Sequence, residues 1–188
     1  MIKENFDSNV IDDFGEEWSA YDQSEVDSIE LEKQFRDYFK LFTWDEKITN
    51  GRGADFGCGS GRWAKFVADK VDSLVCFDAS EKAVSIARKN LSNKSNCEVI
   101  EAKVNELPIP DNSLDFAYSL GVLHHIPDTA SAIKDCASKL KPGAPFLIYL
   151  YYAFDNRPKW FVFIWRCSDI ARRYISIMPF ILKYILSN

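Results

Sequence analysis

Asp55-Phe56-Gly57-Cys58-Gly59-Ser60-Gly61 is the stretch of this 188-residue chain that decides its fold. It follows a short apolar run, Arg52 to Phe56, and precedes a helical pattern from Arg62 to Lys70 with Trp63, Phe66 and Val67 inward. Three glycines at alternate positions let the backbone turn tightly and let a ligand approach without Cβ clashes. A turn that merely needs positive φ would not require three of them. At the carboxyl end of a parallel sheet, such a strand-to-helix turn is where nucleotides bind.

Strands and helices alternate outward from this motif. Ser73 to Phe77 is an apolar strand. Glu81 to Leu91 reads as a helix with Ala83, Val84, Ala87 and Leu91 on one face. Glu98 to Ala102 and Leu114 to Leu120 are strands, the second after the turn signal Pro110-Asp111-Asn112-Ser113. Asp128 to Leu140 is a helix stopped by Lys141-Pro142-Gly143, and Phe146 to Tyr151 is a fifth strand. This alternation predicts βαβ units with right-handed crossovers, hence a doubly wound, mostly parallel α/β sheet in the Rossmann-like order 3-2-1-4-5. The strands are nearly all apolar, as expected when helices cover both faces.

The spacing of the glycines bears on the ligand. The dinucleotide fingerprint is G-x-G-x-x-G. Here the third glycine comes one residue early, and Arg62 takes the sixth position. Asp55 stands two residues before the first glycine, where a carboxylate would repel a pyrophosphate and help a cation. S-adenosylmethionine carries a sulfonium and an α-ammonium and no phosphate. Asp78 ends the second strand, 21 residues after Gly57. A carboxylate there accepts hydrogen bonds from ribose hydroxyls; its other reading is a helix cap, for which Ser80 is nearer.

The runs DFGCGSGRW, CFDAS, NELPIPDNSLDFAYSLGVLHHIPD and LKPGAPFLIYLYY resemble a class I S-adenosylmethionine-dependent methyltransferase. The similarity is to the small-molecule group that includes ubiquinone and menaquinone biosynthesis enzymes, and covers about residues 50–152. The resemblance implies that Asp55 holds the methionine ammonium, directly or through water. Gly57, Cys58, Gly59 and Gly61 would line the methionine and ribose, Asp78 would take the ribose hydroxyls, and Ala79 would lie against the adenine. The family often has an acid after the third strand that accepts from the adenine amino group. Here Lys103 stands in its place, and the backbone of Val104 or the side chain of Asn105 would substitute. Ser119, Leu120 and Gly121 would face the sulfonium and the acceptor.

His124 and His125 follow directly. Either could serve as general base, since imidazole titrates near neutrality, with a role in shaping the site as the other reading. Adjacent helical residues point about 100° apart, so at most one should face the ligand. The fourth strand does not end in an N-P-P-Y or D-P-P-Y segment, and no Pro-Cys nucleophile is present.

The two ends of the chain differ in charge. Residues 1–50 carry net −9, residues 51–140 net −1 and residues 141–188 net +5, giving −5 overall. That argues against a protein built mainly to hold nucleic acid. Composition, with 47% hydrophobic and 27% charged residues, excludes wholesale disorder. Five cysteines without a C-x-x-C pair, and an N-terminus without an apolar h-region, predict free thiols, no signal peptide and a cytoplasmic location. No metal site is expected, because no cysteine stands near the two histidines at ligand spacing.

Three segments follow: an N-terminal arm and helix over 1–49, a cofactor-binding core over 50–152, and an aromatic, basic helical tail or lid over 153–188. In the first, residues 24–49 read as a helix capped by Ser24, with Ile29, Phe35, Tyr38, Phe39 and Phe42 as its stripe. Phe14, Trp18 and Tyr21 could cover the cofactor mouth. The tail shows no convincing strand hairpin where the family has two more strands, which leaves open a piece of a longer protein or a variant with a helical tail. Its apolar stretches are broken by Arg166, Asp169, Arg172 and Arg173, so it should not span a membrane, although a peripheral contact with anionic lipid is open.

The expected function is methyl transfer from S-adenosylmethionine to a small-molecule acceptor by in-line displacement. The alternatives are a non-catalytic docking module on the same fold, membrane-associated in one version, and an NAD-dependent oxidoreductase.

Overall fold

The computed structural model describes residues 5–6, 11, 28–151 and 157–177. The chain divides into two compact units, up to Leu150 and from Tyr151 onward. Phe14, Trp18, Tyr21 and Ser24, for which the sequence raised expectations, lie outside the described residues.

The first unit is built on five parallel strands. They are β1 (Arg52–Phe56), β2 (Ser73–Asp78), β3 (Cys97–Glu101), β4 (Phe116–Leu120) and β5 (Phe146–Tyr149). Their order is β3-β2-β1-β4-β5, as the alternation of elements predicts. The helices are α1 (Ser28–Tyr38), α2 (Glu46–Thr49), α3 (Ala64–Ala68), α4 (Glu81–Asn90) and α5 (Thr129–Ser138). Each of the longer two in the sheet crossovers starts on a side-chain cap. Ser80 Oγ accepts from the Ala83 N–H at 3.5 Å, and Asp128 Oδ1 accepts from the Ser131 N–H at 2.9 Å.

Side chains alternate across the sheet and feed two cores. On one face Leu74, Cys76, Phe116 and Tyr118 pack with Trp63, Val67, Ala87 and Leu91, and with Phe35 and Phe39 of the α1 region. On the other, Ala54, Phe56, Val75, Phe77 and Ala117 pack with Leu107, Ile109, Ala132 and Cys136. Both faces are covered, which is why the central strands are mostly apolar.

Four sequence expectations are corrected. The helix predicted over 24–49 ends at Tyr38, and a short second helix, capped by Asp45, starts at Glu46. The break lets Trp44 fold back onto Phe39, with ring centroids 5.6 Å apart. On a continuous helix these two would stand about 140° apart. Ile29 is 72% exposed, and Leu31 takes its place in the buried stripe. The helix predicted from Arg62 to Lys70 shrinks to Ala64–Ala68, because Gly61 still belongs to the turn, with φ 77° and its N–H on the Cys58 carbonyl at 2.9 Å. The strand predicted from Leu114 begins at Phe116, with Leu114 making only an isolated bridge to Leu140.

The second unit contains α6 (Lys159–Ile177). Among the described residues, no helix is long and apolar enough to cross a membrane.

Candidate active site

The glycine turn lies at the carboxyl ends of β1 and β2. Gly57 has φ 82°, and a Cβ on it would meet Val122 at 2.5 Å. Only glycine fits both the conformation and the space. The turn consumes its own donors. The N–H groups of Gly57 and Cys58 both donate to the Phe77 carbonyl, at 2.8 and 2.9 Å. The Gly59 N–H donates to Asp78 Oδ2 at 2.8 Å, and the Gly61 N–H to the Cys58 carbonyl.

Asp55 lies beneath this turn. In the ladder it sits between Cys76 of β2 and Tyr118 of β4, and it is 2% exposed. Burial pushes its carboxyl up to about 8; the Tyr118 hydroxyl pulls it down, and the charge of Asp78 adds to the rise. Oδ2 and the Tyr118 hydroxyl nevertheless complete no hydrogen bond of good geometry. A buried carboxyl oxygen without a partner costs free energy unless one arrives. Tyr118 stays protonated, since burial and then the Asp55 charge drive it far up.

Asp78 is held in the opposite way. Oδ2 accepts from Gly59, and Oδ1 accepts from the Ser80 N–H at 3.0 Å. Burial raises its pKa, and these backbone donors oppose the rise. A carboxylate offers about four lone-pair sites, so acceptor capacity remains for ribose hydroxyls. The neighbouring Ala79 is half-buried.

The loop after β3 abuts this acid, because the Ala102 N–H donates to the Asp78 carbonyl at 2.9 Å. Val104 packs partly into the second core, and Asn105 is exposed. Lys103 is engaged, its ammonium 3.3 Å from the ring centroid of Phe6.

Two of the predicted residues have side chains engaged within the fold. Ser119 is fully buried and donates to the Phe56 carbonyl at 2.7 Å, so its hydroxyl ties β4 to β1. The Cys58 thiol turns into the first core and shares a hydrogen bond with Cys76, which lowers its pKa; burial raises it, and the net direction is up. What Cys58 brings to the site is backbone. Leu120 packs against the same core and Gly121 is half-buried with φ 78°.

His124 and His125 lie on a 3-10 turn, Leu123–His125, with ring centroids 4.1 Å apart. The expected divergence of the two rings is therefore not seen. Burial lowers both pKa values, and the charge of His125 lowers that of His124 further. The lowering favours the neutral imidazole, which is the form a general base needs.

The sequence reading missed Tyr118, Val122, Asp128 and Phe6. Tyr118 lies two residues after Phe116 in an apolar strand, so nothing local marks it as polar machinery. Among the described residues, no group of three or more metal-ligating side chains gathers.

This site fits S-adenosylmethionine better than a dinucleotide. Four of the five residues from 57 to 61 spend their backbone N–H groups within the motif or on the neighbouring strand end. A pyrophosphate needs such donors pointing at it. A buried carboxyl with an orphaned oxygen suits an ammonium instead.

Comparison with known proteins agrees. Residues 54–148 match the family model described as a methyltransferase domain. The demethylmenaquinone methyltransferase of Bacillus licheniformis is 30% identical over 130 residues, covering 67% of this chain and 55% of its own length. The ubiquinone biosynthesis O-methyltransferase of Marinobacter nauticus is 31% identical over 126 residues, covering 63% and 51%. The chain thus spans about half the length of these relatives. The crystal structure of an S-adenosylmethionine dependent methyltransferase from Mesorhizobium loti shares the fold, with a TM-score of 0.55 at 24% identity, covering 63% of this chain and 53% of that one.

Proposed function

This chain belongs to the methyltransferase-domain family, and we propose that it moves a methyl group from S-adenosylmethionine to a small-molecule acceptor. The observation that carries the proposal is the pairing of an orphaned, buried Asp55 with a glycine turn whose backbone donors are already spent. When bound, the cofactor supplies an electrophilic methyl carbon on a sulfonium.

The chain's own residues bind and orient. Asp55 takes the methionine ammonium and ionises as it does so. Asp78, fixed by Gly59 and Ser80, accepts the ribose hydroxyls. Ala79 and the Val104 backbone flank the adenine, and Asn105 stands at its rim. Leu120 and Gly121 border the methyl-transfer position. Holding two reactants in line can supply roughly 7–11 kcal/mol of the barrier. Where the acceptor is a hydroxyl or an acidic carbon, neutral His124 or His125 receives its proton, a contribution of roughly 10²–10⁴-fold.

Calorimetric titration of the full chain with S-adenosylmethionine and S-adenosylhomocysteine, with NAD as control, tests this reading. Saturable binding of the first two and none of NAD is expected. NAD binding in their place would restore the oxidoreductase alternative. No binding at all would leave a docking module on a methyltransferase fold.

The finer reading of location rests on α6 and on the thiols. Trp160, Phe163, Ile164 and Ile170 are exposed along α6, in a segment of net positive charge. Aromatic and basic side chains on one helix suit a peripheral contact with anionic lipid. Cosedimentation with anionic but not neutral vesicles, lost on Trp160→Ser with Phe163→Ser, is the expected result. All five cysteines are free thiols, which suits a reducing cytoplasm.

A further inference from the structure

Asn5 and Phe6 touch two loops that follow the carboxyl ends of β3 and β4. The Asn5 side chain reads the backbone of Asp128 as a strand would, donating from Nδ2 to its carbonyl at 3.0 Å and accepting from its N–H at 2.7 Å. Asp128 caps α5 and lies three residues beyond His125. The next residue, Phe6, places its ring under the Lys103 ammonium. Lys103 follows Ala102, which is bonded to the Asp78 backbone. Consecutive Cα atoms are only about 3.8 Å apart. One dipeptide therefore joins the loop on the histidine side to the loop on the Asp78 side.

We infer that Asn5 and Phe6 form the outer wall of the cofactor site, with Phe6 as a positioning residue at the adenine end and Lys103 as its anchor. The inference rests on the cofactor reading above. It accounts for a lysine where an adenine-binding acid would be expected: the cation holds an aromatic ring beside the purine position, and purines stack on such rings. Asn5 sets the ring's place because its amide carries both a donor and an acceptor. Alanine has neither, and aspartate lacks the donor.

The test is S-adenosylhomocysteine binding by the full chain, read as Kd and dissociation rate, for the wild type, Asn5→Ala, Phe6→Ala, Phe6→Tyr and Asp78→Ala. Phe6→Ala should raise Kd about tenfold, in line with aromatic stacking of a base, chiefly through faster dissociation. Asn5→Ala should do the same more weakly, and Phe6→Tyr should restore wild-type binding. Melting midpoints without ligand should stay level, because neither residue belongs to the two cores. Wild-type binding that is lost in Asp78→Ala but unchanged in Phe6→Ala overturns the wall and leaves the cofactor reading standing. A wild type that does not bind overturns both.

Discussion

Asp55 and Asp78 occupy the ends of adjacent strands, yet their surroundings prepare them for different partners. Asp55 is buried between Cys76 and Tyr118, with an orphaned oxygen and a carboxyl pushed up to about 8. Asp78 stands at the rim, with both oxygens engaged by backbone N–H groups. Burial favours the neutral form of the first, to which the proposed function gives an ammonium. The second closes the glycine turn through Gly59 and is the proposed ribose acceptor. Burial and backbone donors thus distinguish two aspartates beside one glycine turn.

The largest effect should come from the rim. Asp78→Ala removes the ribose acceptor and the partner of the Gly59 N–H together, so S-adenosylhomocysteine should bind on the order of 100-fold more weakly by calorimetry. If Asp78 only braced the turn, Asp78→Asn, whose amide oxygen can still accept from Gly59, would bind like the wild type.

The next effect tests the pocket. The Asp55 carboxyl is mostly protonated near pH 7 and must ionise to pair with an ammonium. Cofactor binding should therefore release close to one proton at pH 7, measured in buffers of different ionisation enthalpy. Affinity should rise with pH toward about 8 and fall again where the ligand's own ammonium loses its proton. Asp55→Asn should bind about tenfold more weakly at high pH, with a smaller deficit at pH 6 and no proton release. Equal proton release in both would place the titrating group elsewhere.

A third effect concerns stability without ligand. The folded Asp55 holds its proton up to about 8, while the unfolded chain releases it near the ordinary value of 3.8. Between those values the folded state binds more protons, so this residue lowers stability as pH rises, by up to about 1.4 kcal/mol per pH unit. The pH slope of chemical unfolding should flatten in Asp55→Asn across that window. An unchanged slope would mean that Asp55 is ionised in the fold.

The smallest effect separates Tyr118 from its neighbours. Its hydroxyl pulls the Asp55 pKa down, so Tyr118→Phe should move the affinity profile to higher pH while leaving the ring packing on Phe39 intact. A shift to lower pH would contradict the assigned sign.

Much of this was legible in the sequence. Alternation of apolar strands with helical patterns, punctuated by Gly57, Gly59 and Gly61, led to the observed strand order, because right-handed crossovers leave few topologies open. That Asp55 and Asp78 lie beside the glycine turn was readable from their distance to the glycines. Ile29 was misplaced because a helical stripe can be drawn through several rotations when the helix end is unknown. The bond from Ser119 to Phe56 was not legible, because a hydroxyl at a strand end looks the same in sequence whatever carbonyl it meets.

The sequence by itself determined the strand order and most of the elements, since these follow from local periodicity, backbone freedom at glycine and the handedness of crossovers. Only the tertiary structure decided that burial pushes the Asp55 carboxyl up, that the Ser119 hydroxyl bonds the Phe56 carbonyl and that Phe6 meets Lys103. A pKa depends on how much water the surrounding chain removes. Contacts such as Ser119 with Phe56, or Asn5 with Asp128, join residues 63 and 123 positions apart. Local sequence patterns do not encode either quantity; the packed sheet and its loops do.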